Sequence, residues 1–306
     1  MSEKIVGKCP HCGNEIEIPA HLQEFSCLYC GARSHIDLLR AQETFVREDL
    51  VELSSQLPQT LSEYKELYKH INKKEYAGYF EAYEARHNVL LKRLDLVVST
   101  APEGVAEATE QVVQIFLETL DKELQADKRY TSKNSIGTLL FEVKLVLALF
   151  LTPLVRKIHL IMAEPFREEL HKQWMERYPR EPWTAGDYEN ILSGFKKSRL
   201  CYLTTAVCSA EGKPDDCAEL TALRSFRDGW LKANGGQELI DRYYDLAPTL
   251  VILMDHCEDS AEAYGTLRTQ WINPCLDLLS RGENEVCKET YVAMVEHLQR
   301  KYRIRS

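Results

Sequence analysis

Residues 9–13 read CPHCG and residues 27–31 read CLYCG, so two Cys-x-x-Cys pairs lie fourteen residues apart. The four cysteines are Cys9, Cys12, Cys27 and Cys30. Two pairs at this spacing are typical of a tetrahedral site in which four thiolates hold one zinc ion. A glycine follows each pair, at Gly13 and Gly31, and lets the backbone turn beneath the metal. We therefore predict one bound Zn²⁺ held by these cysteines.

The segment around the cysteines is predicted to be a small β ribbon. Ile16-Glu17-Ile18 alternates apolar and polar side chains as a half-exposed strand does, and Pro19 ends it. A segment of about forty residues buries too little apolar surface to fold alone, so the ion would supply folding energy. Three histidines lie in or beside the ribbon and could replace a thiolate, but four cysteines already suffice: His11, His21 and His35.

The net charge of the chain indicates whether its binding partner is a protein or a nucleic acid. The chain has 306 residues and a formal net charge of −9. Residues 1–40 carry four Lys or Arg side chains against five acidic ones, a net of about −1 by the same count. An acidic chain lacks the positive surface that neutralises a phosphate backbone. We therefore expect a protein partner rather than a nucleic acid.

Cysteine usage and hydropathy indicate a cytoplasmic protein that does not span a membrane. The N-terminal MSEKIVGK lacks the apolar region of an export signal, and ten cysteines without one suggest a reducing compartment. The most apolar stretch, residues 145–155, is shorter than the roughly twenty residues of a membrane span. Pro153 is expected to interrupt it. We predict a buried core helix, with a segment lying on a membrane as the alternative.

The rest of the chain has the periodicity of helices. Residues 74–98 place aromatic and aliphatic side chains three or four residues apart, a pattern that core packing produces far more often than a ligand site does. We predict a mainly α fold, with a zinc ribbon at residues 1–35, a helical domain at 36–180 and a second helical domain at 187–306.

Six further cysteines follow residue 200, and their chemistry is open at this point. They are Cys201, Cys208, Cys217, Cys257, Cys275 and Cys287. Cys201 and Cys208 are seven residues apart and would share a helix face, and Cys217 could fold back towards them. Core packing, a reactive thiol, and a second metal site completed by His256 or Cys257 are the three interpretations.

The C-terminal domain resembles the CFI-box family. Three strings carry the resemblance: CYLTTAVC at 201–208, ELTALRSFRDGWL at 219–231 and GQELIDRYYDLAP at 236–248. Family members carry a C-F-I-x-T-A opening, an L-R-x-F-R-D helix and a Y-Y-x-x-(S/A)-P segment. The matching residues are Cys201, Thr204, Thr205, Ala206, Arg224, Phe226, Arg227, Asp228, Tyr243, Tyr244 and Pro248.

The match covers about fifty residues. Tyr202-Leu203 follow the first cysteine, and Val207-Cys208 stand where many members have an aromatic-glycine pair. The resemblance implies a helical module and no particular activity.

The polar residues of this motif suggest specific contacts. Arg224 and Asp228 are four residues apart and are predicted to pair on one helix. Arg227 would then reach a carbonyl, the hydroxyl of Tyr243 or Tyr244, or an anionic ligand. If Arg227 binds a carbonyl or a tyrosine hydroxyl, it belongs to a polar network that holds helices together. If it binds an anionic ligand, it belongs to a pocket for a small anion or a peptide carboxylate.

The helix boundaries nearby are also predicted from their residues. Asp216 and Glu219 are expected to form a capping box that opens the motif helix. Pro248 is expected in the first turn of a later helix.

Two functions are compatible with these features. The common nucleotide-binding and hydrolase signatures are absent from the sequence, which favours a protein–protein interaction or regulatory module. The alternative is a thiol- or metal-dependent enzyme or sensor built on Cys201, Cys208 or Cys217, with Arg224 or Arg227 holding an anion.

Overall fold

A computed structural model describes residues 4–12, 14–41, 47–196 and 202–304. The protein is mainly α-helical, with short antiparallel strands confined to its N-terminal part, and this confirms the predicted fold class.

The N-terminal segment forms two small antiparallel hairpins. Their strands are β1 (Lys4–Lys8), β2 (Glu15–Pro19), β3 (Glu24–Ser26) and β4 (Arg33–His35). Ile5 lies opposite Ile18 in the first hairpin, and Phe25 lies opposite Ser34 in the second. The buried positions of β2 are Ile16 and Ile18, so the alternation read from the sequence is confirmed.

Helices make up most of the remaining described residues. The first eight are α1 (Asp37–Ala41), α2 (Arg47–Gln56), α3 (Tyr64–Leu67), α4 (Tyr76–Thr100), α5 (Val105–Ala126), α6 (Lys133–Val146), α7 (Thr152–Lys157) and α8 (Ala163–Arg177). The next seven are α9 (Tyr188–Lys196), α10 (Tyr202–Ala210), α11 (Ala218–Ser225), α12 (Gln237–His256), α13 (Ser260–Leu267), α14 (Asn273–Ser280) and α15 (Asn284–Lys301). Short 3₁₀ turns span Leu57–Leu61 and Tyr68–His70, and π-helical turns span Leu147–Leu151, Phe226–Leu231 and Arg268–Ile272.

The chain divides into two compact units. One contains residues 1–64 and 81–181, and the other contains residues 65–80 and 182–306. In the first unit α5 packs against α2 and α8, and in the second α12 packs against α9, α10, α13 and α15. The three-part division at residues 35, 180 and 187 stays a prediction.

The aromatic side chains of α4 are part of the core. Tyr76, Phe80 and Tyr83 are fully buried, as are Leu91 and Leu94 further along the helix. Their spacing therefore reflects packing, as the periodicity predicted.

The apolar residues 145–155 lie within a longer helical stretch. Residues 133–157 form a helical stretch whose length and composition would allow it to cross a membrane, but 83% of its most apolar window is buried inside the protein. Pro153 does not interrupt this stretch, because the π-helical turn Leu147–Leu151 precedes it and rearranges the backbone hydrogen bonds. The Thr152 hydroxyl donates to the Leu147 carbonyl at 2.8 Å. The burial is that of a core helix.

Two predicted helix boundaries are wrong. Helix α11 begins at Ala218 with Cys217 as its N-cap, and no side chain caps it, so Asp216 and Glu219 form no capping box. Pro248 lies inside α12 rather than in a first turn. The apolar face of α12, buried from Leu246 to Met254, keeps the helix continuous past the proline.

Candidate metal centre and C-terminal motif residues

The four ribbon cysteines come together as one cluster. The sulfur atoms of Cys9, Cys12, Cys27 and Cys30 all lie within 4.8 Å of one another. Sγ of Cys9 is 3.8 Å from Sγ of Cys30, and Sγ of Cys12 is 3.7 Å from Sγ of Cys27. These separations are far longer than the roughly 2.05 Å of a disulfide. The thiols are neither bridged nor dispersed, and the arrangement is compatible with a metal site.

Backbone hydrogen bonds hold each cysteine turn in place. The Cys9 amide donates to the Asn14 carbonyl at 2.8 Å, and the Cys27 amide donates to the Ala32 carbonyl at 2.9 Å. In the second turn the Gly31 amide also donates to the Cys27 carbonyl at 2.9 Å, with Gly31 at φ +74°. This left-handed conformation is the reason for a glycine there. Gly13 lies outside the described residues.

The surroundings of the sulfurs differ from one cysteine to the next. Burial raises the pKa of the Cys9 thiol to about 12. The backbone amide of Asn14, which donates to the exposed sulfur of Cys12, lowers the pKa of that thiol to about 6. Amide donors also reach Cys27, where the Tyr29 amide lies 3.4 Å from Sγ. Such N–H···S bonds stabilise thiolates, the form in which cysteine binds a metal.

A small apolar cluster supports the cysteine turns from below. Its buried members are Cys9, Ile16, Ile18, Phe25, Cys27, Ile36 and Leu39. Because strands β2 and β3 and helix α1 each contribute to this cluster, it fixes the two turns relative to each other.

The tip of the second turn exposes two large apolar side chains. Leu28 is 90% exposed and Tyr29 is 68% exposed, although they lie between the clustered cysteines Cys27 and Cys30. The sequence analysis predicted no role for these two residues. The available signal was an apolar Leu-Tyr between two closely spaced cysteines, since so tight a turn has no interior in which to bury them.

The described C-terminal cysteines, Cys208 onwards, do not gather into one site. Cys208, Cys257, Cys275 and Cys287 are fully buried, as core packing predicts. Cys217 is half-buried and packs against Cys208. Cys201 lies outside the described residues, so its predicted place beside Cys208 stays a prediction.

Among the residues that the structure describes, only the ribbon cysteines form a group that could hold a metal. His256 instead places Nδ1 3.1 Å from the Thr184 carbonyl oxygen.

The predicted pairing of Arg224 with Asp228 is wrong. Arg224 pairs with Asp215, with Nη2 2.6 Å from Oδ1 and Nη1 2.7 Å from the Asp215 carbonyl oxygen. This pair also lowers the pKa of the Asp215 carboxyl. Asp215 offers the guanidinium both carboxylate oxygens and its carbonyl oxygen, whereas the Asp228 carboxylate is bound by Arg227.

Arg227 makes one of the contacts that the sequence predicted. Its Nη1 donates to the Tyr244 hydroxyl at 2.6 Å. Its Nε and Nη2 donate to the two carboxylate oxygens of Asp228 at 2.7 and 2.6 Å, which lowers the pKa of that carboxyl. Tyr243 accepts a hydrogen bond from the Leu203 amide at 3.0 Å. These bonds favour a polar network that joins helices over an open anion pocket.

A narrow apolar cleft lies beside this network, between the turn Phe226–Leu231, α12 and α15, with a volume of about 80 Å³. Arg227 and Tyr243 line it together with Leu223, Phe226, Leu231, Leu239, Ile240, Arg242, Lys288, Tyr291, Val292, Val295, Glu296 and Gln299. The cleft is too small for a typical cofactor, whose pockets measure roughly 300–1,000 Å³.

Comparison with protein-family models, curated proteins and solved structures finds no match for this chain.

Proposed function

We propose that the ribbon binds a single zinc ion as a structural element. A tetrahedral ion with Zn–S bonds of about 2.3 Å places its sulfurs about 3.8 Å apart. The separations of 3.7 and 3.8 Å between the paired sulfurs fit that size. Four protein ligands leave no position for a substrate or a water molecule, so the ion would stabilise the fold rather than catalyse a reaction.

We further propose that the protein is an interaction module that contacts another protein through Leu28 and Tyr29. Their exposure at the tip of a metal-held turn carries this proposal. Large apolar side chains held at a protruding point lose little conformational freedom on binding, and aromatic residues often anchor protein interfaces. The acidic chain makes a nucleic acid the less favoured partner, and a cytoplasmic location is proposed from the cysteine usage.

The C-terminal unit is proposed to be a CFI-box-like module. Two contacts support this, because each joins separate strings of the motif: Tyr243 with Leu203, and Arg227 with Tyr244. The three strings thus act as one packing unit. A thiol- or metal-dependent activity is less favoured, since Asp228 and Tyr244 occupy the guanidinium of Arg227.

Metal analysis tests the zinc proposal. Purified wild-type protein should contain one zinc per chain, Cys27→Ser should contain none, and Cys217→Ser should keep the ion. Two ions in the wild type, or loss of zinc from Cys217→Ser, would move the metal chemistry to the C-terminal cysteines.

Site-specific crosslinking tests the interaction proposal. A photoreactive amino acid replaces Tyr29 in one sample and Val6, a 57% exposed residue of the same ribbon, in the other. In extract of the native host, position 29 should give a discrete crosslinked protein, and position 6 should not. Excess wild-type protein should compete for this product, and excess Leu28→Ser should compete at least about tenfold less well.

Three outcomes would contradict the docking role. They are equal crosslinking at the two positions, competition by Leu28→Ser as strong as by wild type, and a product that nuclease removes. The last would transfer the proposal to a nucleic acid.

A further inference from the structure

Two pairs of cysteines lie close together in the second unit. Cys217 packs against the buried cluster of Cys208 and Leu220. Cys275 on α14 and Cys287 on α15 are near neighbours across two helices that pack against each other. Cysteines that lie side by side can form a disulfide with little movement of the chain.

The two pairs differ in access to solvent. Cys275 and Cys287 are both fully buried, and so is Cys208. Cys217 is half-buried, so among the described C-terminal cysteines it is the one that a small solute reaches without local unfolding. One pair therefore joins an accessible thiol to a buried one, and the other serves as an internal comparison.

The loop between the two cysteines is fixed by backbone bonds. After α10, the Lys213 amide donates to the Cys208 carbonyl at 2.9 Å, and Gly212 takes φ +70° to close the turn. The Cys217 amide donates to the Pro214 carbonyl at 3.1 Å. Since both ends of the loop are tied down, the two sulfurs stay close together.

An ion-pair network surrounds the pair. Glu219 lies two residues after Cys217, and Lys213 and Arg268 lie 2.6 and 2.8 Å from its carboxylate. These cations lower the pKa of Glu219, so its carboxylate stays ionised. Glu211 balances the network, 2.8 Å from Lys213 and 3.5 Å from Arg268.

We propose that Cys217 and Cys208 are a reversible oxidation site that a peroxide converts to a disulfide. The Cys217 sulfur attacks one peroxide oxygen and the O–O bond breaks. The departing hydroxide takes up the thiol proton as water, leaving a sulfenic acid on Cys217. The Cys208 sulfur then attacks the Cys217 sulfur, the S–O bond breaks, and the Cys208 proton leaves with the hydroxyl as a second water. Two thiols are oxidised and one peroxide is reduced to two waters.

The position of Cys208 makes the second step favourable. Burial raises the pKa of the Cys208 thiol to about 12, so this thiol is a poor first attacker. Contact with the reacting sulfur makes its attack intramolecular, which compensates for the low thiolate fraction. Cys217 is thus the attacking residue and Cys208 the resolving one.

Peptide mapping after oxidation tests the proposal on the full zinc-loaded chain. Hydrogen peroxide is added in small excess, free thiols are blocked, and the protein is cut after Glu211, since Pro214 protects the bond after Lys213 from trypsin. The expected product joins Cys208 to Cys217, and it forms at least about tenfold faster than the Cys275–Cys287 disulfide. All measurements are made on protein that carries Cys201→Ser, so that Cys201 cannot take part in the disulfide that is mapped.

Two variants separate the steps. In Cys208→Ser, dimedone should trap a sulfenic acid at Cys217, because the resolving thiol is missing. In Cys217→Ser, Cys208 should stay unmodified over the same time. The proposal is overturned if Cys217 takes no dimedone in Cys208→Ser, or if both thiol pairs oxidise equally fast in the folded protein. It is also overturned if the Cys208–Cys217 disulfide forms only after the chain is unfolded in urea.

Discussion

Individual side chains of the motif show where spacing along a helix predicts a contact and where it does not. Arg227 reaches Tyr244, as the sequence predicted, because tyrosine offers a hydroxyl acceptor on a neighbouring helix. Arg224 does not pair with Asp228, four residues further along the helix, and binds Asp215 in the preceding loop instead. An ion pair between exposed side chains four residues apart stabilises a helix by only about 0.2–0.5 kcal/mol. An arginine therefore pairs with a better-placed acceptor elsewhere when the fold supplies one.

Gly31 is expected to be needed for the fold of the second cysteine turn. Gly31→Ala places a Cβ in open space, since no atom lies within 4 Å, but it forces a side-chain-bearing residue to hold φ +74°. We expect the change to destabilise the folded, metal-bound ribbon by about 1–2 kcal/mol and to weaken metal affinity to match. Competition with a chromophoric chelator measures the affinity.

Gly78→Ala is the matched control. It also meets no atom within 4 Å, but it lies in helix α4 without a positive φ. Metal affinity should stay at the wild-type value there. Equal affinity in Gly31→Ala would show that the turn does not depend on glycine.

At the scale of elements, the helices follow from periodicity, whereas their irregular turns do not. Pro153 and Pro248 both lie within helical stretches that continue past them. In each case the surrounding residues are buried, so apolar packing offsets the hydrogen bond that proline cannot donate. The π-helical turns at Leu147–Leu151 and Phe226–Leu231 have no signature in the pattern of apolar residues.

The chain needs a glycine at position 236 to pass from the turn Phe226–Leu231 into α12. A Cβ on Gly236 would lie 2.7 Å from the Leu231 carbonyl oxygen and would overlap the Leu231 side chain, which lines the apolar cleft. Gly236→Ala should therefore lower the free energy of unfolding by about 1–3 kcal/mol, measured by denaturant titration.

Gly229→Ala, in the same turn, meets no atom within 4 Å. It should change the free energy of unfolding by less than about 1 kcal/mol. If the two alanine variants were equally stable, the close approach at Gly236 would not constrain the junction.

For the whole molecule, the metal and the helices are expected to contribute separately to stability. The ribbon has a small apolar cluster of its own, whereas the helices have extensive buried faces. Chelation should therefore abolish hydrogen-exchange protection in β1–β4 while the far-UV helical signal is largely kept. Loss of the helical signal together with the metal would contradict this, as would a ribbon that stays protected.

Local patterns were enough to predict the clustering of the four ribbon cysteines, the mainly α fold and the strand Ile16-Glu17-Ile18. Two Cys-x-x-Cys pairs form a tetrahedral ligand set almost regardless of the chain around them, and helical or alternating periodicity reports which face is apolar. The exposure of Leu28 and Tyr29, the Arg224–Asp215 pair and the contact of Cys208 with Cys217 depended on the tertiary structure. Each of these is set by which distant or neighbouring segments pack nearby, and competition among possible partners is resolved only when the whole chain has folded.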